Sequence, residues 1–494
     1  IYFPAFKAAV EEAHVGSVMT SYNLVNNVHA AENPYLIREV LKGKWGFDGF
    51  VMSDWTSTYT ALGCVKGGLD LEMPRAFLMN MDEIRPLMES GAISEREIDE
   101  KVQNILQSLI AFGFLDREQK DASIPEDNPY SREVAYRMAC ESPVLLKNNG
   151  ILPLKAGKKN SIAVLGPNAD RIPCGGGSGK VDPIYSISLA EGLKQLGKQY
   201  HICHLSASDG QGYDSAENIS VLKSAGTVIV SVGFDTETEK ENSDRTFSLP
   251  QGQDELIEFA LEHNKNVVVV VYAGGSFDMS RWHDRVSAIL LGWYPGQEGG
   301  LAISHILAGT VSPSGRLPIS IERHLEDNPT AGSYYPSEPK TKRGSTNRSV
   351  TYSEGVFMGY RGYDRTGVKP LYPFGHGLTY SHFTYSGLEV TPSGDGFDVS
   401  FTLCNDGKHD AAETAQVYIG AASPCVPRPV KALKGFSKTF VKKGESARVT
   451  IHLDREDFAY YDTIIKDFTA DPGIYTIMVG ASAKDIRLSS EIKL

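Results

Sequence analysis

The chain has 494 residues and a net charge of −12, and its 41% hydrophobic and 22% charged residues are ordinary for a globular protein. An acidic surface repels phosphate backbones and anionic lipids, so neither nucleic acid nor a membrane surface is expected as a partner. No apolar run approaches the roughly 20 residues that cross a bilayer, and the length indicates about three domains of roughly 100 to 200 residues each.

Residues 1–115 predict a partial (β/α) barrel. Helix and strand patterns alternate in the order helix 4–14, strand 17–22, helix 33–44, a strand that ends at Asp54, and strand and turn 67–74. Only about three such units are present, where eight close a barrel. A capping box at Ser94 and Glu97 predicts a further long helix, and a polar linker is predicted at 116–130.

Residues 131–330 predict an α/β sandwich. The strands are rich in valine and isoleucine, as strands buried on both faces are, so we expect a mostly parallel sheet between two layers of helices. The predicted strands are 161–166, 200–205, 227–233, 266–273 and 288–293, and the predicted helices lie near 188–197, 213–224, 251–263 and 299–308. A connecting segment, 331–384, leads to period-two patterns over 385–494 that predict a β-sandwich.

The segment 46–55 places the Asp54 carboxylate at the C-terminal end of a short apolar strand, next to Trp55. Ligands of parallel α/β folds bind at that end of the strands. A carboxylate in this position can attack the anomeric carbon of a sugar if a second acid protonates the leaving oxygen. The alternative interpretation is that Asp54 only caps the helix that follows.

The acid-rich segment 236–245, TETEKENSDR, is the candidate source of that second acid. It follows the predicted strand 227–233 and precedes a helix. One interpretation is a solvated charge run with Glu–Lys and Asp–Arg pairs. The other is a loop that carries a catalytic acid.

No cofactor and no metal are expected. The segment 174–181, CGGGSGKV, resembles a phosphate-binding loop, but Cys174 replaces its first glycine and Val181 replaces the Ser or Thr that would hold magnesium. We expect instead a flexible backbone that closely approaches a ligand or the neighbouring domain. The six cysteines form no CxxC pair, and HExxH and GxSxG are absent, which argues against zinc, metallohydrolase and serine-esterase chemistry.

Ordered motifs along the whole chain resemble those of the multi-domain β-glucosidases of glycoside hydrolase family 3. The matching stretches are 19–23 (MTSYN), 45–55 (WGFDGFVMSDW), 68–74 (GLDLEMP), 145–154 (LLKNNGILPL), 292–300 (GWYPGQEGG), 373–380 (PFGHGLTY), and, in a tail similar to fibronectin type III, 435–436 (GF) and 444–446 (GES).

The resemblance implies a retaining, exo-acting enzyme that removes terminal non-reducing β-D-glucosyl residues by double displacement. Asp54 matches the family's nucleophile. Glu241 takes the place of the acid/base, although Asn242 stands where the family has glycine, and Glu239 is an alternative two residues away. The nucleophile must be ionised and the acid protonated, so we expect their pKa values to be pushed apart.

The resemblance also implies a substrate site. Tyr22 and Met19 match residues that line the sugar subsite, Trp55 matches the aromatic wall beside the nucleophile, and Ser178 is similar to a hydroxyl contributed by the neighbouring domain's loop. A retaining pair needs carboxyl groups about 5 to 5.5 Å apart. Because the two candidates lie in different predicted domains, we expect the interdomain contact to be part of the active site.

Members of the family carry the first half of the barrel upstream, including an Asp, an Arg and a Lys-His pair that hold the glucose. None of these lies in the 494 residues, so the resemblance implies that residues 1–115 are the C-terminal part of a (β/α)8 barrel. We expect the missing strands, as a partner of this chain, to belong to another chain, a cleaved segment or a region outside the given sequence. The expected substrates are β-glucosides or short β-linked glucan oligosaccharides. A periplasmic or secreted location is favoured, and a homo-oligomer is left open.

Two other interpretations compete with the β-glucosidase. One is a β-xylosidase or β-N-acetylhexosaminidase of the same superfamily, although Ser53-Asp54-Trp55 is closer to the glucosidases. The other is a non-catalytic carbohydrate-binding protein in which the partial barrel is a remnant.

Overall fold

The chain divides into two units, Ile1–Glu126 and Asp127–Leu494, and the boundary between them falls within the predicted linker 116–130. The computed structural model describes residues 1–157, 160–207, 212–241, 243–334 and 350–494, so Asn242 and part of the predicted connecting segment lie outside the described residues. The finer domain bounds drawn from the sequence stay a prediction. Within the described ranges, no helix is both long and apolar enough to cross a membrane.

The first unit alternates helices and short strands. The strands are β1 (Ser17–Met19), β2 (Leu24–Val25), β3 (Val28–His29), β4 (Phe50–Trp55) and β5 (Leu71–Met73), and the α-helices are α1 (Phe3–Glu11), α2 (Ala61–Gly67), α3 (Met81–Glu89) and α4 (Glu95–Ala111). A 3-10 turn covers Ala30–Glu32, and a helix of π type covers Tyr35–Lys44. Strands β1, β4 and β5 form a parallel sheet in that spatial order, and β2 pairs with β3 in a hairpin. Closure into a barrel stays a prediction.

Strand β4, which contains Asp54 next to its last residue, is hydrogen-bonded to a buried carboxylate. Asp70 accepts hydrogen bonds from Val51 N (2.8 Å), Lys42 Nζ (2.9 Å) and Asn104 Nδ2 (2.9 Å). A buried charge is tolerated only when it is paired and hydrogen-bonded, and both conditions are met here. The strand therefore rests on a polar network as well as on its apolar core.

Helix α4 begins at the predicted capping box, where the Glu97 carboxylate accepts hydrogen bonds from Ser94 N (2.9 Å) and Ser94 Oγ (2.9 Å). On the buried side of this helix lies a lysine. Lys101 is 4% exposed, and its Nζ donates a hydrogen bond to Val65 O (3.2 Å) in α2. Burial lowers the pKa of the Lys101 amine to about 8.

The second unit opens with a six-stranded mixed sheet covered by helices. The strands are β6 (Val144–Asn148), β7 (Ile162–Leu165), β8 (Ile202–His204), β9 (Thr227–Gly233), β10 (Val267–Tyr272) and β11 (Ala288–Leu291), and the helices are α5 (Pro129–Glu141), α6 (Leu189–Gln195), α7 (Ala216–Ser224), α8 (Gln253–His263) and α9 (Gly299–Ala308). The strand order is β6-β11-β10-β9-β7-β8, with β6 antiparallel to β11 and the other pairs parallel. The sequence did not predict β6 or α5.

The valine run of β10 shows why these strands carry no polar alternation. Val267, Val269 and Val271 belong to the hydrophobic cluster on one face of the sheet, and Val268 and Val270 belong to the cluster on the other face. All six residues of β10 are buried. Burial on both faces, which the sequence predicted, is confirmed for this strand.

The strand order creates a switch point between β7 and β9. From β7 the chain crosses to β8 at one edge of the sheet and then returns to β9 on the other side of β7. The C-terminal ends of these two parallel neighbours diverge into separate loops, and ligands of open α/β sheets bind in such crevices. The loop after β7 contains residues 174–181, and the loop after β9 contains residues 235–245, so the fold places both candidate loops at this point.

Two short helices, α10 (Ala331–Tyr334) and α11 (Tyr360–Thr366), and two 3-10 turns (Leu325–Asp327 and Arg455–Phe458) complete the helical elements that the structure describes. The C-terminal β-sandwich follows. Its strands are β12 (Phe383–Ser393), β13 (Gly396–Asn405), β14 (Ala411–Ala421), β15 (Ala432–Val441), β16 (Ser446–Leu453), β17 (Tyr460–Asp462), β18 (Asp467–Thr469), β19 (Ile474–Ser482) and β20 (Asp485–Lys493). One sheet has the order β12-β13-β16 and the other β15-β14-β19-β20, while β17 and β18 form a hairpin.

A buried ion pair joins the sandwich to the α/β part of the same unit. Arg316 Nη2 lies 3.1 Å from Glu413 Oε2, and the two side chains are 8% and 5% exposed. Tyr385 OH donates to the other oxygen of Glu413 (3.1 Å), and Gln416 Nε2 donates to Gly375 O (3.2 Å). These contacts fix the sandwich to the chain segments that precede it.

Candidate active site

Asp54 lies at the C-terminal end of β4, where the sequence placed it. Its backbone N–H donates to Thr20 O (3.2 Å), just beyond β1, and its Oδ1 accepts a hydrogen bond from Trp55 N (2.6 Å). The helix that follows, α2, is capped by the side chain of Thr60. The interpretation of Asp54 as a helix cap is therefore wrong, which leaves its carboxylate available for chemistry.

The same end of the sheet carries the side chains predicted to bind the sugar. Met19, Tyr22 and Trp55 are 57%, 51% and 63% exposed. Tyr22 OH donates to Trp55 O (2.9 Å), and Tyr59 OH donates to Tyr22 O (3.1 Å). Exposed aromatic rings next to a carboxylate are suited to a carbohydrate ligand, because each ring offers an apolar face beside polar groups.

The loop after Asp54 is supported by the carboxylate of Glu72, which lies within the motif 68–74. Glu72 is 4% exposed and accepts hydrogen bonds from Thr58 Oγ1 (2.6 Å), Leu78 N (2.9 Å) and Met79 N (2.8 Å). Glu72 thus ties the segment after β4 to the segment after β5. The motif at 68–74 supports the strand ends and does not provide an acid of its own.

In the second unit, Glu241 and Ser178 are hydrogen-bonded. Glu241 Oε2 accepts bonds from Ser178 N (2.9 Å) and Ser178 Oγ (2.6 Å), and Gly176 N donates to Glu239 O (2.9 Å) between the same two loops. Gly177 has a φ of +87°, and a Cβ there would lie 2.4 Å from Glu241 Cβ, so only glycine fits. The glycine-rich segment therefore closely approaches the acid-rich loop of its own unit.

The Glu241 carboxyl group is exposed, and its pKa is lowered by the Ser178 hydroxyl and then by the Ser178 backbone N–H. Hydrogen bonds from donors to a carboxylate favour the ionised form. The direction is opposite to the one expected for an acid that is protonated near neutral pH. Within this unit, the contacts of Glu241 thus favour its ionised form.

Glu239 is in a different environment from Glu241. Its Oε2 accepts hydrogen bonds from Tyr294 OH (2.6 Å) and Gly274 N (2.9 Å), and its Oε1 lies 3.1 Å from Arg245 Nε. The Glu239 and Arg245 side chains are 20% and 18% exposed. The Glu239 carboxylate is thus bonded to three donors and partly buried, whereas the Glu241 carboxyl is exposed, which favours Glu241 over Glu239 as the candidate acid/base.

The charge-run interpretation describes only part of the acid-rich loop. Lys240 Nζ lies 3.5 Å from Glu237 Oε2 in an exposed pair of the predicted kind. Arg245 instead pairs with Glu239, six residues away, and its guanidinium lies 4.4 Å from the centre of the Phe234 ring. The sequence could not reveal the Tyr294 contact, although Tyr294 lies within the matching motif 292–300.

One group of side chains in the described ranges has the spacing of a metal site. The ligand atoms of Asp395, His452 and Asp454 lie within 4.8 Å of one another in the β-sandwich. All three residues are exposed, and His452 Nδ1 is hydrogen-bonded to Asp398 Oδ1 (2.6 Å), which raises the pKa of the imidazole. Exposed acidic groups of this kind are common, and we assign the group no ligand.

Comparison with known families accounts for all three regions of the chain. The model of the glycosyl hydrolase family 3 N-terminal domain matches residues 1–108, that of the family 3 C-terminal domain matches 143–360, and that of a fibronectin type III-like domain matches 413–483. A crystal structure of a family 3 β-glucosidase from Bifidobacterium adolescentis is 34% identical, with a TM-score of 0.89 over 100% of this chain and 72% of that one.

The chain belongs to glycosyl hydrolase family 3. The resemblance inferred from the motifs is thus confirmed, as is the fibronectin-like character of the C-terminal sandwich. The roles of Asp54, Glu241 and the four predicted substrate-binding residues stay predictions.

Two curated relatives in the family carry different names. Thermostable β-glucosidase B of Acetivibrio thermocellus is 36% identical over 100% of this chain and 65% of its own length. Exo-α-(1→6)-L-arabinopyranosidase of Bifidobacterium longum is 37% identical over 98% of this chain and 64% of its own length. The chain thus spans about two thirds of the length of the relatives it matches.

Proposed function

We propose that this protein is a β-glucosidase that removes terminal non-reducing β-D-glucosyl residues with retention of the anomeric configuration. The observation that carries the proposal is the similarity to a β-glucosidase along the entire chain, together with membership of family 3. The site supports it, because an available carboxylate, Asp54, ends a strand beside exposed aromatic rings, and a second exposed carboxyl, Glu241, lies at the switch point of the α/β sheet.

In the first step, the Asp54 carboxylate forms a bond to the anomeric carbon while the bond from that carbon to the leaving oxygen breaks. The leaving oxygen takes the proton of Glu241. In the second step, Glu241 removes a proton from water, the water oxygen bonds to the anomeric carbon, and the ester bond to Asp54 breaks. The products are the free sugar and the alcohol.

This cycle requires Glu241 to change its protonation state twice. Ser178 influences which protonation state of Glu241 is favoured. The Ser178 hydrogen bonds favour the carboxylate, which is the form needed in the second step. In the proposed reaction, the acid form needed in the first step is favoured by the negative charge of the Asp54 nucleophile, because two neighbouring carboxylates do not both ionise readily. Formation of the Asp54 ester removes that charge, so Glu241 becomes a better base when it must act as one.

The α-L-arabinopyranosidase relative gives the protein a second candidate substrate. Its identity to this chain, 37%, is as high as that of the β-glucosidase relative. The reaction steps would be the same and only the sugar would differ. Turnover of the nitrophenyl β-D-glucoside, α-L-arabinopyranoside and β-D-xyloside should be compared, and we expect the glucoside to have the highest kcat/KM. If kcat/KM were higher for the arabinopyranoside or the xyloside, that sugar would be the preferred substrate and the proposal of a β-glucosidase would be wrong.

Azide rescue tests which glutamate is the acid/base. With a dinitrophenyl glucoside, whose leaving group needs no protonation, Glu241→Ala should hydrolyse the glycosyl-enzyme slowly, and azide should restore turnover and give β-glucosyl azide. Glu239→Ala should show no azide rescue. Glu237→Ala, which removes an exposed carboxylate of the same loop, is the matched control and should behave as the parent. Rescue of Glu239→Ala but not of Glu241→Ala would reverse the assignment.

A 2-fluoroglucoside with a good leaving group tests the nucleophile and the non-catalytic alternative together. We expect a covalent adduct on the peptide that contains Asp54. The fluorine slows both steps, and the good leaving group restores the rate of the first step only, so the glycosyl-enzyme accumulates. Sugar binding without an adduct would support a carbohydrate-binding protein instead. An adduct on another peptide would support a retaining enzyme but would show that Asp54 is not its nucleophile.

A further inference from the structure

The acid-rich loop is fixed at one residue to three other parts of its unit. Glu239 accepts hydrogen bonds from Tyr294 OH, beyond β11, and from Gly274 N, beyond β10, and pairs with Arg245 at the end of the loop itself. Its backbone oxygen also accepts the bond from Gly176 N. One residue therefore links the loop to the ends of two strands and to the glycine-rich segment.

The partners of Glu239 are themselves held in place. Arg245 Nη2 donates to Ser276 O (2.6 Å), so the guanidinium bridges the loop and the segment after β10. A Cβ at Gly274 would lie 2.7 Å from Glu239 Oε1, and one at Gly175 would lie 3.4 Å from the Tyr294 ring. A side chain at Gly274 would therefore displace the Glu239 carboxylate, and a Cβ at Gly175 would be in ordinary van der Waals contact with the Tyr294 ring.

Glu239 is only two residues from Glu241, and the residue between them, Lys240, pairs in a single β-bridge with Gly176. Displacement of Glu239 would move Lys240 and Glu241 with it, because two extended residues span only about 7 Å and leave little slack. The position of the Glu241 carboxyl thus depends on the contacts of its neighbour.

We propose that Glu239, Tyr294 and Arg245 form an anchor that positions the Glu241 carboxyl for proton transfer. The inference rests on the proposed function, because it needs Glu241 to be the acid/base. Glu239 takes no part in the chemistry: with three donors on its carboxylate, it is a positioning residue. Burial, and then the hydrogen bond to Glu239, raises the pKa of the Tyr294 phenol, so this donor stays protonated throughout the working pH range.

Tyr294→Phe removes one hydroxyl and leaves the ring, so it weakens the anchor with little loss of packing. For phenyl β-glucoside, whose leaving group needs an acid, we expect kcat/KM to fall by roughly 10- to 100-fold, as a displacement of about 1 Å does. For the dinitrophenyl glucoside, which needs none, the loss should stay within about threefold. Glu239→Gln provides the same test if Tyr294→Phe does not fold.

The decisive comparison combines the anchor variant with Glu241→Gln in the full-length protein. If the anchor acts through Glu241, Tyr294→Phe should cost nothing further in kcat/KM for phenyl glucoside once Glu241 is replaced. Tyr380→Phe is the matched control, because the Tyr380 hydroxyl donates to Ile306 O (2.9 Å), away from both loops. This variant should leave kcat/KM unchanged for both substrates.

The outcomes separate the anchor from the proposed function. If Tyr294→Phe lowered kcat/KM equally for both substrates, or by a further tenfold or more in the Glu241→Gln background, the anchor hypothesis would be wrong. The proposed mechanism would be unaffected. If Glu241→Gln itself affected both substrates alike, the acid/base assignment would fail and the anchor with it.

Discussion

The buried amine of Lys101 gives the first unit a pH dependence that can be worked out from its surroundings. The side chain lies on the inner face of α4, and its Nζ has a backbone oxygen, Val65 O, as its hydrogen-bond partner. Burial lowers its pKa from 10.5 to about 8, and the nearby Asp70 charge only partly opposes that effect. Replacing the amine with an apolar group of similar length, Lys101→Met, removes the charge and keeps most of the packing.

The magnitude follows from the difference between the folded and unfolded pKa values. At about 1.4 kcal/mol for each tenfold change, a lysine that falls from 10.5 to about 8 costs the folded state about 3 kcal/mol while it is charged. Between about pH 8 and 10.5 the unfolded chain binds more protons, so this cost declines as pH rises and is absent above about pH 10.5. The free-energy advantage of Lys101→Met should therefore shrink by about 3 kcal/mol between pH 7 and 11.

Cys64 provides the assay, because it is the only cysteine in residues 1–126 and is buried in α2 next to Val65. Pulse alkylation in a urea series, read on the Cys64 peptide, reports the opening of this unit alone. Both proteins are compared at each pH, so the changing reactivity of the thiol cancels. Lys120→Met, in the exposed linker, is the matched control and should show no such trend. A Lys101→Met difference that is constant or grows with pH would refute the reasoning.

Three further predictions concern the site and the thiols. Ser178→Ala removes the hydroxyl that lowers the pKa of Glu241, so the alkaline limb of the pH profile of kcat/KM should move to higher pH. If the limb does not move, the hydrogen bond between Ser178 and Glu241 does not persist during turnover. Asp54→Asn should lower kcat by at least about 10³-fold at an unchanged melting temperature, and substantial residual turnover would exclude Asp54 as the nucleophile. Alkylation of the native protein at pH 8 should modify the exposed Cys425 before the buried Cys64. Burial raises the pKa of the Cys64 thiol to about 12, so only about one Cys64 thiol in 10⁴ is ionised at pH 8. Peptide mass gives the order of modification, and the reverse order would contradict the burial of Cys64.

The strands of the α/β sheet were largely predictable, because a run such as Val267–Val271 has no solvent side to alternate with. Strand β6 was missed: it is five residues long and lies antiparallel at the sheet edge, which gives it no distinctive period. The position of Asp54 at a strand end was also predictable, since it depends on local sequence.

The difference between Glu239 and Glu241 could not be predicted in the same way. Both are glutamates in one acidic run, and what separates them is contact with distant residues. Glu239 meets Tyr294, 55 residues along the chain, and Glu241 meets Ser178, 63 residues back. The lowered pKa of Glu241 arises from the second of these contacts. The demands of the reaction alone predict the opposite direction, because an acid must be protonated.

The ion pair between Arg316 and Glu413 limits how this protein can be re-engineered. A truncation before β12 would remove the counter-charge of this guanidinium, and loss of one partner of a buried ion pair typically costs about 3 to 5 kcal/mol. A chimera that borrows its β-sandwich from another family member must therefore supply an acidic residue opposite Arg316, or replace both partners with apolar side chains. The β-sandwich is better treated as part of the same folded unit as the α/β sheet than as an interchangeable module.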